Sequence, residues 1–237
     1  MRNFLHLIVA ATLLVGCSAK KQDNTAGSVY FIPSLHNFHK INKNYSYDSL
    51  KAIITRFRPD VIAVEIRTED IAADTLYLKN NYPLEMRQMK YWFPGVKVVG
   101  YDWLGEELEG KPIPQGYWKN ISQIKKLERE LAADSLMQAR LKRCYGRKEE
   151  REKLLRSLTL IELISSADSD IVNSQYACYD LTVHNTPFQP LSDFFKERNA
   201  KLLVNIKKII TENPGKRILI VTGDDHYAAL KDKFDHL

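Results

Sequence analysis

The chain carries none of the short motifs that anchor the commonest catalytic folds. It has no Gly-x-Ser-x-Gly elbow for a serine nucleophile, no P-loop to cradle a phosphate and no dinucleotide fingerprint. It also lacks an apolar run that would span a bilayer comfortably, which takes about 20 residues. The stretch from Phe4 to Val15 is shorter and is interrupted by His6 and Thr12. Charge of one sign is not gathered anywhere. The net charge is +6, yet lysine and arginine mingle with glutamate, as in Lys125-Lys126-Leu127-Glu128-Arg129-Glu130. That pattern is a solvated helix face and not a nucleic-acid footprint. Internal repeats and low-complexity tracts are absent, and cysteine is limited to Cys17, Cys144 and Cys178.

What is present begins at the N-terminus. Arg2 opens a short positive region, the apolar stretch follows, and Leu14-Val15-Gly16-Cys17 closes it. This is the shape of a secretory signal peptide. Its last four residues resemble the lipobox of bacterial lipoproteins, in which the cysteine becomes the lipidated first residue. We therefore expect a signal peptide over residues 1–16, lipid on Cys17, a polar tether over 17–27 and one domain over 28–237. The expected location is the bacterial cell envelope, anchored to a membrane. In an exported chain Cys144 and Cys178 are either a disulfide or two free buried thiols; nothing in the sequence chooses between them.

Four apolar runs read as buried strands: Ser28–Ile32, Val61–Ile66, Val96–Tyr101 and Ile218–Thr222. The spacing of Leu50, Ile53, Ile54 and Phe57 predicts a helix between the first two, with Ser46 or Asp48 as its cap. Thr68 should open a helix reaching about Leu78, and Pro83 a second one to Trp92. From Tyr117 onward the period is helical. Helices are predicted from Tyr117 to Gly146, Glu149 to Ile164 and Asp168 to Tyr179, then Ser192 to Glu212. A last helix should run from His226 to Phe234, capped by Asp224 or Asp225. The expected fold is α/β: a parallel four-stranded core sheet flanked by helices, with an all-helical insertion at about residues 117–180 between strands three and four.

A parallel sheet puts all its strand ends on one edge, where open α/β sheets bind ligands. His36, Glu65, Asp102 and His226 each follow or end a strand. Glu65 is the sharpest signal, because a carboxylate in an apolar strand is costly unless paired or metal-bound. Two imidazoles and a carboxylate are a common set of ligands for a catalytic divalent metal, so His36, Glu65 and His226 are the expected metal site. Without metal, Glu65 could serve as a general base and a histidine as an acid. Asp102 could orient a histidine or cap the loop. His39 completes a His-x-x-His pair with His36, whereas His184 and His236 have no supporting context.

Several of these residues sit in a recognisable arrangement. Pro33-Ser-Leu-His36, Pro59-Asp-Val-Ile-Ala-Val-Glu65, Glu197-Arg198-Asn199 and Gly223-Asp-Asp-His226 resemble the motifs of the TraB/GumN/Tiki group, within a wider superfamily that includes erythromycin esterases and ChaN-like haem-binding lipoproteins. The first Gly-x-x-His motif departs from the group, with Pro33 in place of glycine. The resemblance implies paired histidines at His36 and His226, a catalytic or metal-binding Glu65, an Arg198 reaching the site and an orienting Asn199. It implies a peptide or ester hydrolase dependent on a divalent metal. The alternatives are a haem- or iron-binding lipoprotein, with Tyr30, Tyr45, Tyr47 or Tyr101 as a ligand, and a catalytically degenerate envelope scaffold.

Overall fold

The computed structural model describes residues 27–234; Cys17 and the leader before it, and His236, lie outside that range. Four strands form one parallel sheet in the order β1-β4-β2-β3. They are β1 (Val29–Ser34), β2 (Val61–Arg67), β3 (Lys97–Asp102) and β4 (Ile218–Gly223). The expected α/β architecture with a helical region between β3 and β4 is what forms.

Strand parity divides the core into two layers. Ile62, Val64, Leu219 and Val221 face α1 (Tyr47–Phe57), α2 (Thr75–Asn81) and α3 (Leu84–Trp92), meeting Leu50, Ile54, Leu78, Met86 and Met89. Val61, Ala63, Ile218 and Ile220 face the opposite layer, packing on Leu202, Ile206 and Ile209. The helix carrying those three is α8 (Gln189–Glu212); α9 (Asp224–Leu230) adds Leu230 to the same layer. Ser46 caps α1 by accepting the Ser49 amide, as expected. Pro33 is accommodated because β1 is an edge strand. Its carbonyl turns outward to the Tyr45 hydroxyl at 2.8 Å, so no ladder bond is lost.

The insertion differs in detail from its period. A π-helical turn (Tyr117–Ile121) precedes α4 (Gln123–Ala133), and Asp134 then caps a separate helix, α5 (Ser135–Leu154). This helix runs through Gly146, where the sequence suggested an end. The helix expected over Glu149–Ile164 is instead broken after α5. Thr159 caps the short α6 (Leu160–Leu163) with Glu162 in a reciprocal capping box. Next comes α7 (Ser166–Val183), longer than expected at both ends. A disulfide joins Cys144 on α5 to Cys178 on α7, with Cα atoms 5.5 Å apart. Leu131, Met137, Leu141 and Val183 make a small third core beside it.

Candidate functional site

All four strands deliver a residue to the carboxyl edge. In spatial order these are His36 after β1, Gly223 ending β4, Glu65 on β2 and Asp102 ending β3. Glu65 has the parity of Val61 and Ala63, so it faces the α8 layer. The β2–β4 pairing stops at Val64, and the register with β3 slips between Val64 and Arg67. Such irregularities re-aim side chains at the rims of sheets. Arg198 meets Glu65 because it continues the buried stripe of α8 formed by Leu202, Ile206 and Ile209, one turn earlier.

Glu65 is 4 % exposed. Its Oε2 accepts the Gly223 amide, and its Oε1 lies 3.4 Å from Arg198 Nη2. Asp102 shares that Nη2, at 3.0 Å, and accepts from Nε at 2.9 Å in a bidentate pair. Burial pushes the Glu65 carboxyl above the ordinary carboxylate range, and Asp102 adds to this, while Arg198, His36 and the Gly223 amide act against it. Gly223 has no room for a side chain. A Cβ there would start 2.8 Å from His36 Nε2 and 3.2 Å from Glu65 Oε2.

His226 sits in the first turn of α9 and is 8 % exposed. Its Nδ1 donates to Asn199 Oδ1 at 2.7 Å, which leaves the lone pair on Nε2, 3.6 Å from Glu65 Oε1. Burial, with the nearby charges of Arg198 and His36, holds this imidazole well below its usual range, so it is neutral. The ring stacks on Phe195, which in turn stacks on Tyr176.

His36 takes a left-handed backbone, φ 49°, a conformation that costs free energy outside glycine and concentrates at functional sites. Its Nδ1 lies 2.6 Å from Glu85 Oε1. Glu85 is a site residue that the sequence reading missed. It is fully buried on α3, where it precedes Met89 by one turn on the same buried stripe. That position, a carboxylate on an apolar helix face, is the signal that could have found it. Burial opposes the charge on His36, but the hydrogen bond and charge of Glu85 outweigh it and raise the imidazole to about 9.

A cleft of about 810 Å³ opens above these groups, with His36, Glu65, Asp102 and Arg198 on its floor. Its walls set Tyr82, Tyr117, Trp118, Tyr145, Tyr176, Tyr179, Phe194 and Phe195 among polar and aliphatic side chains. Five of these belong to the insertion, which therefore shapes access to the floor. His226 does not line the cleft; it meets two residues that do, stacking on Phe195 and lying 3.6 Å from Glu65.

The other residues singled out in the sequence take the following places. Among the described residues no three His, Cys, Asp or Glu side chains group as a metal site. The proposed ligands His36, Glu65 and His226 do not fit a metal as they stand. Both oxygens of Glu65 are engaged, and Arg198 already places a positive charge there. His39 is structural: its Nε2 accepts the Leu35 amide and its Nδ1 donates to the Tyr45 carbonyl. Asp224 and Asp225 do not cap α9 through their side chains. They pair with Arg151, and Tyr176 donates to Asp225. Of the tyrosines considered for haem, three have their hydroxyls in hydrogen bonds. Tyr45, Tyr47 and Tyr101 donate to backbone carbonyls, and Tyr30 stacks on Phe57.

Comparison with protein-family models, curated proteins and solved structures finds no match for this chain.

Proposed function

We propose that the chain is a hydrolase of esters or peptides that works by acid–base chemistry at Glu65. The observation carrying this reading is a buried carboxylate, raised toward neutrality, on the floor of a cleft between two cations. Raising a carboxyl toward the working pH is how a general base is tuned. Glu65 takes a proton from water as the water oxygen attacks the substrate carbonyl carbon. Arg198, braced by Asp102, holds Glu65 and faces the developing oxyanion. His36 gives a proton to the leaving oxygen or nitrogen as its bond to carbon breaks. Neutral His226, oriented by Asn199, turns its Nε2 lone pair to Glu65, so the proton that Glu65 gains stays on the carboxyl and points at the imidazole until His36 is recharged. The arrangement of His36, Glu65, Arg198 and His226 supports the resemblance to the TraB/GumN/Tiki group without its metal.

The test is turnover of aryl esters and short peptides, with and without chelator, beside Glu65→Gln. The expected result is chelator-resistant turnover that falls by about 10²–10⁴-fold in the variant, the usual worth of a general base. Turnover abolished by chelator, or untouched in Glu65→Gln, overturns the reading. We also propose that Cys17 is lipidated and holds the protein at the cell envelope. The leader pattern supports this, and a disulfide suits an oxidising compartment. Cys17→Ala should leave the chain unprocessed or release it from the membrane fraction; unchanged fractionation and migration would refute anchoring.

A further inference from the structure

We propose that Glu85 is the positioning residue for His36: it fixes Nδ1 as the inward donor and keeps the Nε2 proton facing the cleft, so that His36 serves as the proton donor of the site. The use of that proton rests on the hydrolase reading; the pairing itself does not.

The argument starts from what Glu85 does for the fold. It sits in the apolar layer among Met86 and Met89, and an uncompensated carboxylate there is costly. Only one of its oxygens is used. Oε1 receives His36 Nδ1 at 2.6 Å and the Ser34 hydroxyl at 2.8 Å, while Oε2 has no partner. An apolar residue would pack this position with less cost, so the fold alone does not account for an acid here. What the acid does is act on one ring. A carboxylate only accepts, so Nδ1 must carry a hydrogen, and Nε2 becomes the nitrogen turned to Gly223 and Glu65.

The other groups facing His36 come from several elements. Glu65 on β2 and Asp224 on α9 favour its charge. His226 is held neutral. His39, in the turn after β1, is neutral too, because its Nε2 accepts a backbone amide. Arg198 faces Glu65 and Asp102. Of the acids around His36, Glu85 alone makes a hydrogen bond to the ring. The His36 side chain is 38 % exposed and lines the cleft, while its Nδ1 is locked against Glu85.

The experiment is NMR titration of the His36 ring nitrogens in the purified full chain, with thermal melting to confirm the fold of each variant. Wild type should titrate near 9 against an ordinary imidazole value of 6.5, with Nδ1 protonated throughout. Glu85→Gln should drop the midpoint by about 2 units, the loss of a contacting carboxylate. Ser34→Ala, which removes the other group on Oε1, should leave it high. Should Glu85→Gln not fold, Glu85→Asp makes the same comparison by drawing the charge back one methylene. A wild-type midpoint near the ordinary value overturns the proposal, as does a midpoint unmoved in the Glu85 variants. In turnover, the alkaline limb of kcat/KM should move down with the His36 midpoint, a shift that a purely structural role would not give. If no ester or peptide is turned over, the hydrolase reading fails while the titration still decides the role of Glu85.

Discussion

Gly223→Ala separates the demands of the site from those of the fold. The backbone at Gly223 has φ −58° and ψ 145°, which alanine adopts without strain. The conflict is with the neighbours. The new Cβ would lie 2.8 Å from His36 Nε2, 3.4 Å from His36 Cε1 and 3.2 Å from Glu65 Oε2. Ordinary contacts are about 3.5–4.0 Å, so the His36 ring must retreat by roughly 1 Å. These atoms are the far ends of side chains, so the backbone can stay in place. Overpacking of this kind costs about 1–3 kcal/mol, or roughly 2–12 °C in Tm for a domain of this size. A displacement of about 1 Å at reacting groups can cost 10²-fold in rate. We therefore expect a modest loss in Tm with a fall of about 10²-fold in ester or peptide turnover. Gly100→Ala is the contrast. Its Cβ would strike the backbone carbonyls of Ile66 and Arg67, which cannot swing aside, so it should destabilise the fold more. Thermal unfolding followed by circular dichroism and turnover of the folded variant check both. Wild-type turnover in Gly223→Ala, or a loss of Tm equal to that of Gly100→Ala, would refute the reasoning.

The remaining predictions test the scaffold and the proton chemistry. Replacing Cys144 and Cys178 by serine opens a link across 34 residues and should cost about 3–4 kcal/mol on the chain-entropy account. A double variant that melts with wild type would reject that. Tyr145 and Tyr179, the next residues along, line the cleft, so KM should rise more than kcat falls. Arg151 pairs with Asp168 and Asp224, each at 2.8 Å, in a mostly buried cluster. Arg151→Met leaves two acids facing each other and should cost about 3–5 kcal/mol, read in denaturant unfolding; a loss below about 1 kcal/mol would mark the cluster as solvent-screened. Turnover should be bell-shaped in pH. The base must be ionised, so the acidic limb lies above the ordinary carboxylate range, because burial raises Glu65. The acid must be protonated, so activity falls as pH rises through about 9, where His36 loses its proton. A profile still rising beyond that point would remove His36 as the acid.

The strand-end residues were visible in the sequence because position along a parallel sheet follows from chain order alone. Four buried runs separated by helices force their carboxyl ends onto one edge, and His36, Glu65, Asp102 and His226 are then neighbours without any pairwise clue. Arg198 was visible in part through a stripe, four residues before Leu202 on a face that must bury. Glu85 is 49 residues from His36, and no spacing rule joins them. It could have been suspected only as an acid on the Met86–Met89 face of α3. Helix limits in the insertion were obscured by a different cause. The apolar period runs unbroken through Asp134, yet that side chain accepts the Met137 amide at 2.9 Å and starts a new helix. Gly146 costs α5 about 1 kcal/mol, which the Arg151–Asp168 tie and the disulfide offset from outside the local sequence.

The charges on the cleft floor show why Glu65 is the group to follow. His36 has Glu85 as its own counter-ion, and Arg198 has Asp102 in a bidentate pair. Each cation is thus balanced before Glu65 is counted. Its ionisation adds a further negative charge, received by the Gly223 amide and by the Arg198 Nη2 that it shares with Asp102. A group so placed exchanges its proton at little cost, since both states find partners. The opposite holds for His226, where burial and two nearby cations leave only the neutral form. The same imidazole type is therefore charged on one side of Glu65 and neutral on the other. Under the proposed reaction that asymmetry makes His36 the proton donor and leaves Glu65 as the group that takes a proton up.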